Sequence, residues 1–120
     1  AHIGHGAVIH GATIGANCLV GMNAVIMDNA VLGNECIVGA LSFIREGEKF
    51  ARRSLIVGNP ARAIRKVSDE MVHWKTEGTR LYQQLAAECR EQLTPCEPAR
   101  KKTVIVKTPA TGYSSWKKTR

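Results

Sequence analysis

The chain has 120 residues, about the size of one small domain, and a formal net charge of +7. No apolar run reaches the roughly 18 residues a membrane span needs, and the polar, Gly-rich opening lacks a secretory signal pattern, so a cytoplasmic protein without a membrane partner is expected. The charge does not argue for nucleic-acid binding: residues 95–120 hold seven Lys and Arg against Glu97 alone, a basic tail read as a solvated, disordered extension, which leaves the rest of the chain near neutral.

The first pattern opens with Ile3 and Gly4, and Ile14 and Gly15 repeat it eleven residues later. From Ile14 onward the spacing is six. The first place of each block is aliphatic: Ile14, Val20, Ile26, Leu32 and Val38, with Ile44 opening the next. The second place is Gly in four of five blocks, Met27 being the exception, and the fifth is small: Cys18, Ala24, Ala30, Cys36 and Ser42. A helix would space apolar residues by three and four, and an ordinary strand by two. A period of six instead fits a short strand followed by a tight bend. Three such blocks close one triangular coil of about eighteen residues, and coils stack like parallel strands about 4.8 Å apart. Stacking buries a ladder of aliphatics that no single coil buries alone. The second-place glycines are expected to relieve a sharply turning backbone. Of the four cysteines, Cys18, Cys36, Cys89 and Cys96, none forms a CxxC pair. Cys18 and Cys36 share the small fifth place, so they read as reduced packing residues.

Residues 3–13 fall one residue short of two blocks. A regular scaffold that loses register at one place invites a functional explanation, and His5 and His10 lie in that place. Because the pattern is already running at Ala1, an upstream portion is expected.

After Phe43 the repeat fades, and the polar stretch 45–53 reads as a loop. Residues 54–65 then read as a last short strand, a Gly58-Asn59-Pro60 turn and the start of a new segment. Ser68 is the expected N-cap of a helix over 69–93, with Asp69 and Glu70 favourable in its first turn. Met71, Trp74, Leu81, Leu85 and Cys89 fall on one stripe, Gly78 is expected to divide this helix in two, and Pro95 to end it. The organisation expected is therefore a β-helix over 1–58, a helical segment over 59–94 packing on it, and the tail over 95–120. Within the tail, residues 103–107 have the composition of a short strand.

The histidines admit two readings on chemistry alone. Imidazoles are common zinc ligands, and a catalytic site uses three protein ligands with a position left for water; only two are evident here. Alternatively they are hydrophilic corner residues. Five apart in a coil, they need not meet within one chain, yet could converge between neighbouring prisms.

The GH-x4-HG element of residues 4–11, with the hexads from Val20 and Leu32 and the GNPA turn, closely resembles the γ-class carbonic anhydrase-like hexapeptide-repeat proteins. Within them it looks most like the phenylacetic-acid degradation and carnitine-operon branches, over residues 1 to about 98. That resemblance implies a left-handed parallel β-helix, mainly β with a C-terminal α-helical segment, assembled as a homotrimer with zinc or Fe(II) between subunits. It implies that His5 binds the metal from one subunit and His10 from its neighbour. The family's third histidine comes from an earlier coil, and its arginine, aspartate and glutamine near the metal also lie upstream. His2 has no ligand counterpart and His73 falls on the helix, so both are expected to be surface residues.

The implied reaction is attack by metal-activated water on an acyl-CoA thioester or on carbon dioxide. Two alternatives stand beside it. One is an acyltransferase using acetyl-CoA, with His5 or His10 as general base. The other is a non-catalytic accessory trimer of CoA-dependent catabolism.

Overall fold

The computed structural model describes residues 1–98, 100 and 101; the expected strand over 103–107 and most of the basic tail lie outside them. Nine two-residue strands follow one another at the repeat spacing: β1 (His2–Ile3), β2 (Val8–Ile9), β3 (Thr13–Ile14), β4 (Leu19–Val20), β5 (Val25–Ile26), β6 (Val31–Leu32), β7 (Ile37–Val38), β8 (Phe43–Ile44) and β9 (Lys49–Phe50). They are followed by β10 (Ser54–Gly58), β11 (Ala61–Lys66) and one helix, α1 (Asp69–Gln92). The strands stack into three sheets, ordered β1-β4-β7-β10-β11, β2-β5-β8 and β3-β6-β9. This is the parallel β-solenoid that the hexads predict. Two compact units result, the first over Ala1–Thr76 and the second from Glu77.

The interior of the solenoid is the aliphatic ladder. Val20, Ile26, Leu32, Val38, Ile44 and Ile56 are all at most 1% exposed, and the small fifth-place residues Cys18, Ala24, Ala30 and Cys36 are sealed among them. Both thiols donate to backbone carbonyls, Cys18 to Gly33 at 3.2 Å and Cys36 to Ala51 at 3.1 Å. They are packing residues, as their place in the repeat predicts.

The second-place glycines serve a different purpose from the one expected. The left-handed residue of each bend is the fourth, not the second: Asn17, Asn23, Asn29, Glu35, Leu41 and Arg53 all have φ between 53° and 60°. At the second place coils simply approach too closely for a side chain. A Cβ on Gly33 would sit 2.6 Å from the backbone nitrogen of Arg52, and one on Gly21 would sit 2.4 Å from that of Ala40.

Three further expectations are corrected. Residues 45–53 are not a plain loop but another hexad, in which β9 pairs with β6 and Phe50 aligns with Leu32. The period therefore runs unbroken through Ile44, Phe50 and Ile56. It is concealed because charged residues surround its two first-place side chains, and Glu48, half-buried and paired with Arg45 at 2.9 Å, stands at the fifth place where earlier blocks carry a small residue. Residues 61–66 do not begin the helical segment. They form β11, which runs antiparallel to β10 after a cis Asn59–Pro60 bond and closes that sheet. Its exposed Arg62, Arg65 and Lys66 suit an edge strand that must not recruit another. Finally, Gly78 does not divide the helix, which is continuous from Asp69 to Gln92. One interior glycine costs only about 1 kcal/mol relative to alanine, which the surrounding helical hydrogen bonds offset.

The helix start agrees with its sequence signal. Ser68 Oγ accepts the N–H of Met71 at 3.3 Å, and Asp69 pairs with Arg53 at 2.6 Å. Val67, Met71 and Lys75 are buried in the first unit, so its first turns pack on the solenoid.

Candidate functional site

Each ordinary corner repeats one hydrogen-bond scheme. The second-place N–H donates to the first-place carbonyl of the next coil, as Gly15 does to Leu32 at 2.9 Å. The fourth-place N–H of that next coil donates back to the third-place carbonyl, as Glu35 does to Ala16 at 2.8 Å. These bonds identify each place independently of the sequence count.

The scheme locates the missing residue. Coil spacing is 18 residues where Ile14 aligns with Leu32, but 17 where Ile3 aligns with Val20 and Ile9 with Ile26. The deficit therefore lies between β2 and β3. In that corner the N–H of His10 donates to Ile26 O and that of Asn29 to Gly11 O, both at 2.9 Å. His10 thus fills the second place. Gly11 fills the third by its carbonyl and the fourth by its φ of +60°. Two places have merged at the residue directly after His10.

His10 consequently stands where Gly4, Gly15, Gly21, Gly33 and Gly39 stand in other corners. In its own column the second place is held below by Met27 and then by Arg45, so no glycine occurs there. Met27, the one exception to glycine among the five blocks from Ile14 to Phe43, lies in this column and marks a corner that can carry a side chain.

The His10 side chain is 69% exposed, and its Nδ1 lies 2.8 Å from Asp28 Oδ2 in the next coil. Asp28 holds a third place. One corner on, the equivalent Asn34 accepts the N–H of Ala16 on its Oδ1 at 2.8 Å. Above Asp28 the third and fourth places are fused in Gly11, and the carboxylate meets the imidazole. Gly11 also leaves it room, since a Cβ there would lie 2.3 Å from Asp28 Oδ1.

His5 occupies the third place of the corner between β1 and β2. Its carbonyl accepts the N–H of Asn23 at 2.9 Å, and the residue is exposed. The two candidate ligands therefore lie on successive corners of one triangular coil. Among the described residues, no three His, Cys, Asp or Glu side chains are grouped to hold an ion. The donors present fit two of the three protein positions of a catalytic site: two exposed imidazoles, one already bonded to a carboxylate through Nδ1, as metal-bound histidines commonly are.

The remaining histidines differ from each other. His73 is exposed on α1, as expected. His2 is half-buried rather than a surface residue; burial, then the Lys75 ammonium, lowers its pKa from the ordinary value. Lys75 itself is buried and donates to Asn17 Oδ1. Asp28 and Lys75 are not legible as site or anchor residues from the hexads alone.

Comparison with known proteins agrees with this architecture. Residues 11–46 match the family described as bacterial transferase hexapeptide (six repeats). Over 99 residues the chain is 51% identical to the carnitine operon protein CaiE of Escherichia coli O7:K1 (strain IAI39 / ExPEC) and 52% identical to that of Escherichia coli strain SMS-3-5. Each alignment covers 82% of this chain and 50% of the relative, so the chain spans about half the length of the curated relatives it matches. Among solved structures, a hexapeptide transferase family protein from Anaplasma phagocytophilum is similar with a TM-score of 0.68 and 29% identity, over 75% of this chain and 52% of that one. A proposed acetyltransferase from Bacillus cereus is similar with a TM-score of 0.73 and 26% identity, over 76% and 53%.

Proposed function

Because the chain belongs to the hexapeptide-repeat family and sets an imidazole on each of two successive corners, we propose that it works as a trimer with metal sites between subunits. In this reading His5 of one subunit and His10 of the next hold a zinc or ferrous ion, with a third donor from outside the described residues. The reaction is hydrolysis of an acyl-CoA thioester, with carbon dioxide as the smaller alternative substrate. The γ-class carbonic anhydrase-like resemblance of residues 4–11 supports this assignment.

The observation that carries it is the placement of the register break. A solenoid repeats because every coil must match the next, so a lost residue is tolerated only where something compensates. Here the loss falls directly behind His10, in a column with no second-place glycine. A bound ion of this kind supplies Lewis acidity and a water acidified toward neutrality. The chain's own contribution is to fix two imidazoles on rigid backbone, hydrogen-bonded on both sides of each corner. Such rigidity is what a metal site requires of its scaffold.

A second reading is favoured by the transferase descriptions of the family match and the solved relatives. There His10 or His5 acts as general base on an acceptor hydroxyl or amine, with acetyl-CoA as donor. The two separate on metal dependence. Metal content and hydrolysis of a panel of CoA thioesters should be measured on the purified 120-residue chain, and on a form extended by any coding sequence preceding Ala1. The metal reading expects bound zinc or iron and activity lost on chelation in the form that carries the third donor. Acetyl transfer that persists after complete metal removal would instead establish the transferase.

A further inference from the structure

We infer that Asp28 is a positioning residue, whose carboxylate holds His10 as the Nδ1–H tautomer and so assigns Nε2 as the working atom of the ring. The geometry requires the ring to donate, because an ionised carboxylate only accepts. In the neutral ring, with Nδ1–H committed to Asp28 Oδ2 at 2.8 Å, the lone pair lies on Nε2. That is the atom left to take a cation, or a proton in the transferase reading. A carboxylate behind a ligating imidazole fixes its orientation and raises its basicity.

Three features show that the pair is built into the corner. Asp28 sits in the place from which Asn34, one corner on, accepts the N–H of Ala16. Over Asp28 the corresponding third and fourth places are fused in Gly11, so the carboxylate is directed to a side chain. Gly11 then keeps the space clear, with any Cβ intruding to 2.3 Å of Asp28 Oδ1. Finally, His10 projects from a second place that in most other corners admits no side chain. The shortened corner, Gly11 and Asp28 form one device.

The cation-binding part of this inference rests on the metal reading; the tautomer part does not. Two measurements keep them distinct. Long-range 1H–15N correlation spectra of the metal-free chain report which ring nitrogen of His10 carries the proton. Wild type is expected to show Nδ1–H. Asp28→Leu is expected to shift His10 toward Nε2–H, and Asp28→Asn, which keeps an acceptor oxygen, to preserve most of the wild-type pattern. Gly11→Ala displaces the carboxylate without altering it and should shift the ring in the same direction as Asp28→Leu. An Nε2–H ring in wild type, or a pattern unchanged in Asp28→Leu, overturns the inference. Zinc titration of the form containing the third donor is the second measurement, with Asp28→Leu expected to weaken binding about 10–100-fold. Zinc affinity equal in wild type and Asp28→Leu overturns the positioning role. No zinc binding in either, with the Nδ1–H tautomer intact, overturns the metal reading and leaves Asp28 orienting a general base.

Discussion

The ammonium of Lys75 donates to the side-chain oxygen of Asn17, while Asn17 Nδ2 donates to Thr76 Oγ1 at 3.0 Å. One left-handed corner of the solenoid thereby anchors the early turns of α1. Asn17 does two jobs: its backbone takes a φ of 53° at the bend, which Asn tolerates better than most residues, and its amide grips the helix.

Lys75 gives the first prediction. Burial lowers its pKa below 10.5, so the unfolded chain binds this proton more tightly than the folded one. Stability from this group therefore rises as pH increases from the folded pKa toward 10.5, and is flat below that window. Lys75→Met should cost about 1 kcal/mol at pH 7 through the loss of the donor to Asn17 Oδ1. Urea denaturation at pH 7 and pH 10 should show the deficit widening at the higher pH, because only wild type gains.

Two glycine substitutions should separate close approach from backbone freedom. Gly33→Ala drives a Cβ to 2.6 Å of the Arg52 backbone nitrogen and should destabilise by about 2 kcal/mol. Gly47 has a φ of +70°, but a Cβ there would meet nothing within 4 Å. Gly47→Asn should accordingly stay within about 0.5 kcal/mol. Thermal melts of the two variants provide the comparison.

Leu41 tests the same backbone rule in the opposite direction. It is 72% exposed yet held at a φ of 60°, a conformation costing a branched side chain about 1 kcal/mol. Leu41→Asn should raise stability by up to about that amount, read as a higher melting temperature with unchanged circular dichroism.

Phe50 distinguishes a ninth solenoid strand from a loop. It packs against the core from the first place of its hexad, so Phe50→Ala should cost about 2 kcal/mol, somewhat below a fully buried aromatic. A residue in a surface loop would cost almost nothing.

These residues also mark how far the fold is legible in the sequence. First-place aliphatics and fifth-place small residues are visible as a period of six because burial tolerates little else at those positions. The register break around His5 and His10 is visible for the same reason. Phe50 escapes notice because six charged residues among 45–53 surround one inward side chain, and composition averages the signal away. The strand from Ala61 is hidden because its pairing with Ser54–Gly58 is antiparallel and follows no hexad rule. Asp28 is invisible as a partner of His10 because contacts eighteen residues apart depend on how coils align, and the alignment there is off by one. The second-place glycines mislead because sequence shows that a side chain is excluded, but not whether a torsion or a neighbouring backbone excludes it.

The proposal that two subunits share one ion is tested most directly by mixing subunits. His5→Ala and His10→Ala, each made in the form that carries the third donor, should separately lose metal. Co-assembled from equal amounts, they should regain about one site in four, because in a ring of head-to-tail contacts a quarter of the interfaces pair an intact His5 with an intact His10. Metal retained by either single variant, or none regained in the mixture of assembled trimers, would contradict a site built from His5 and His10 across the interface.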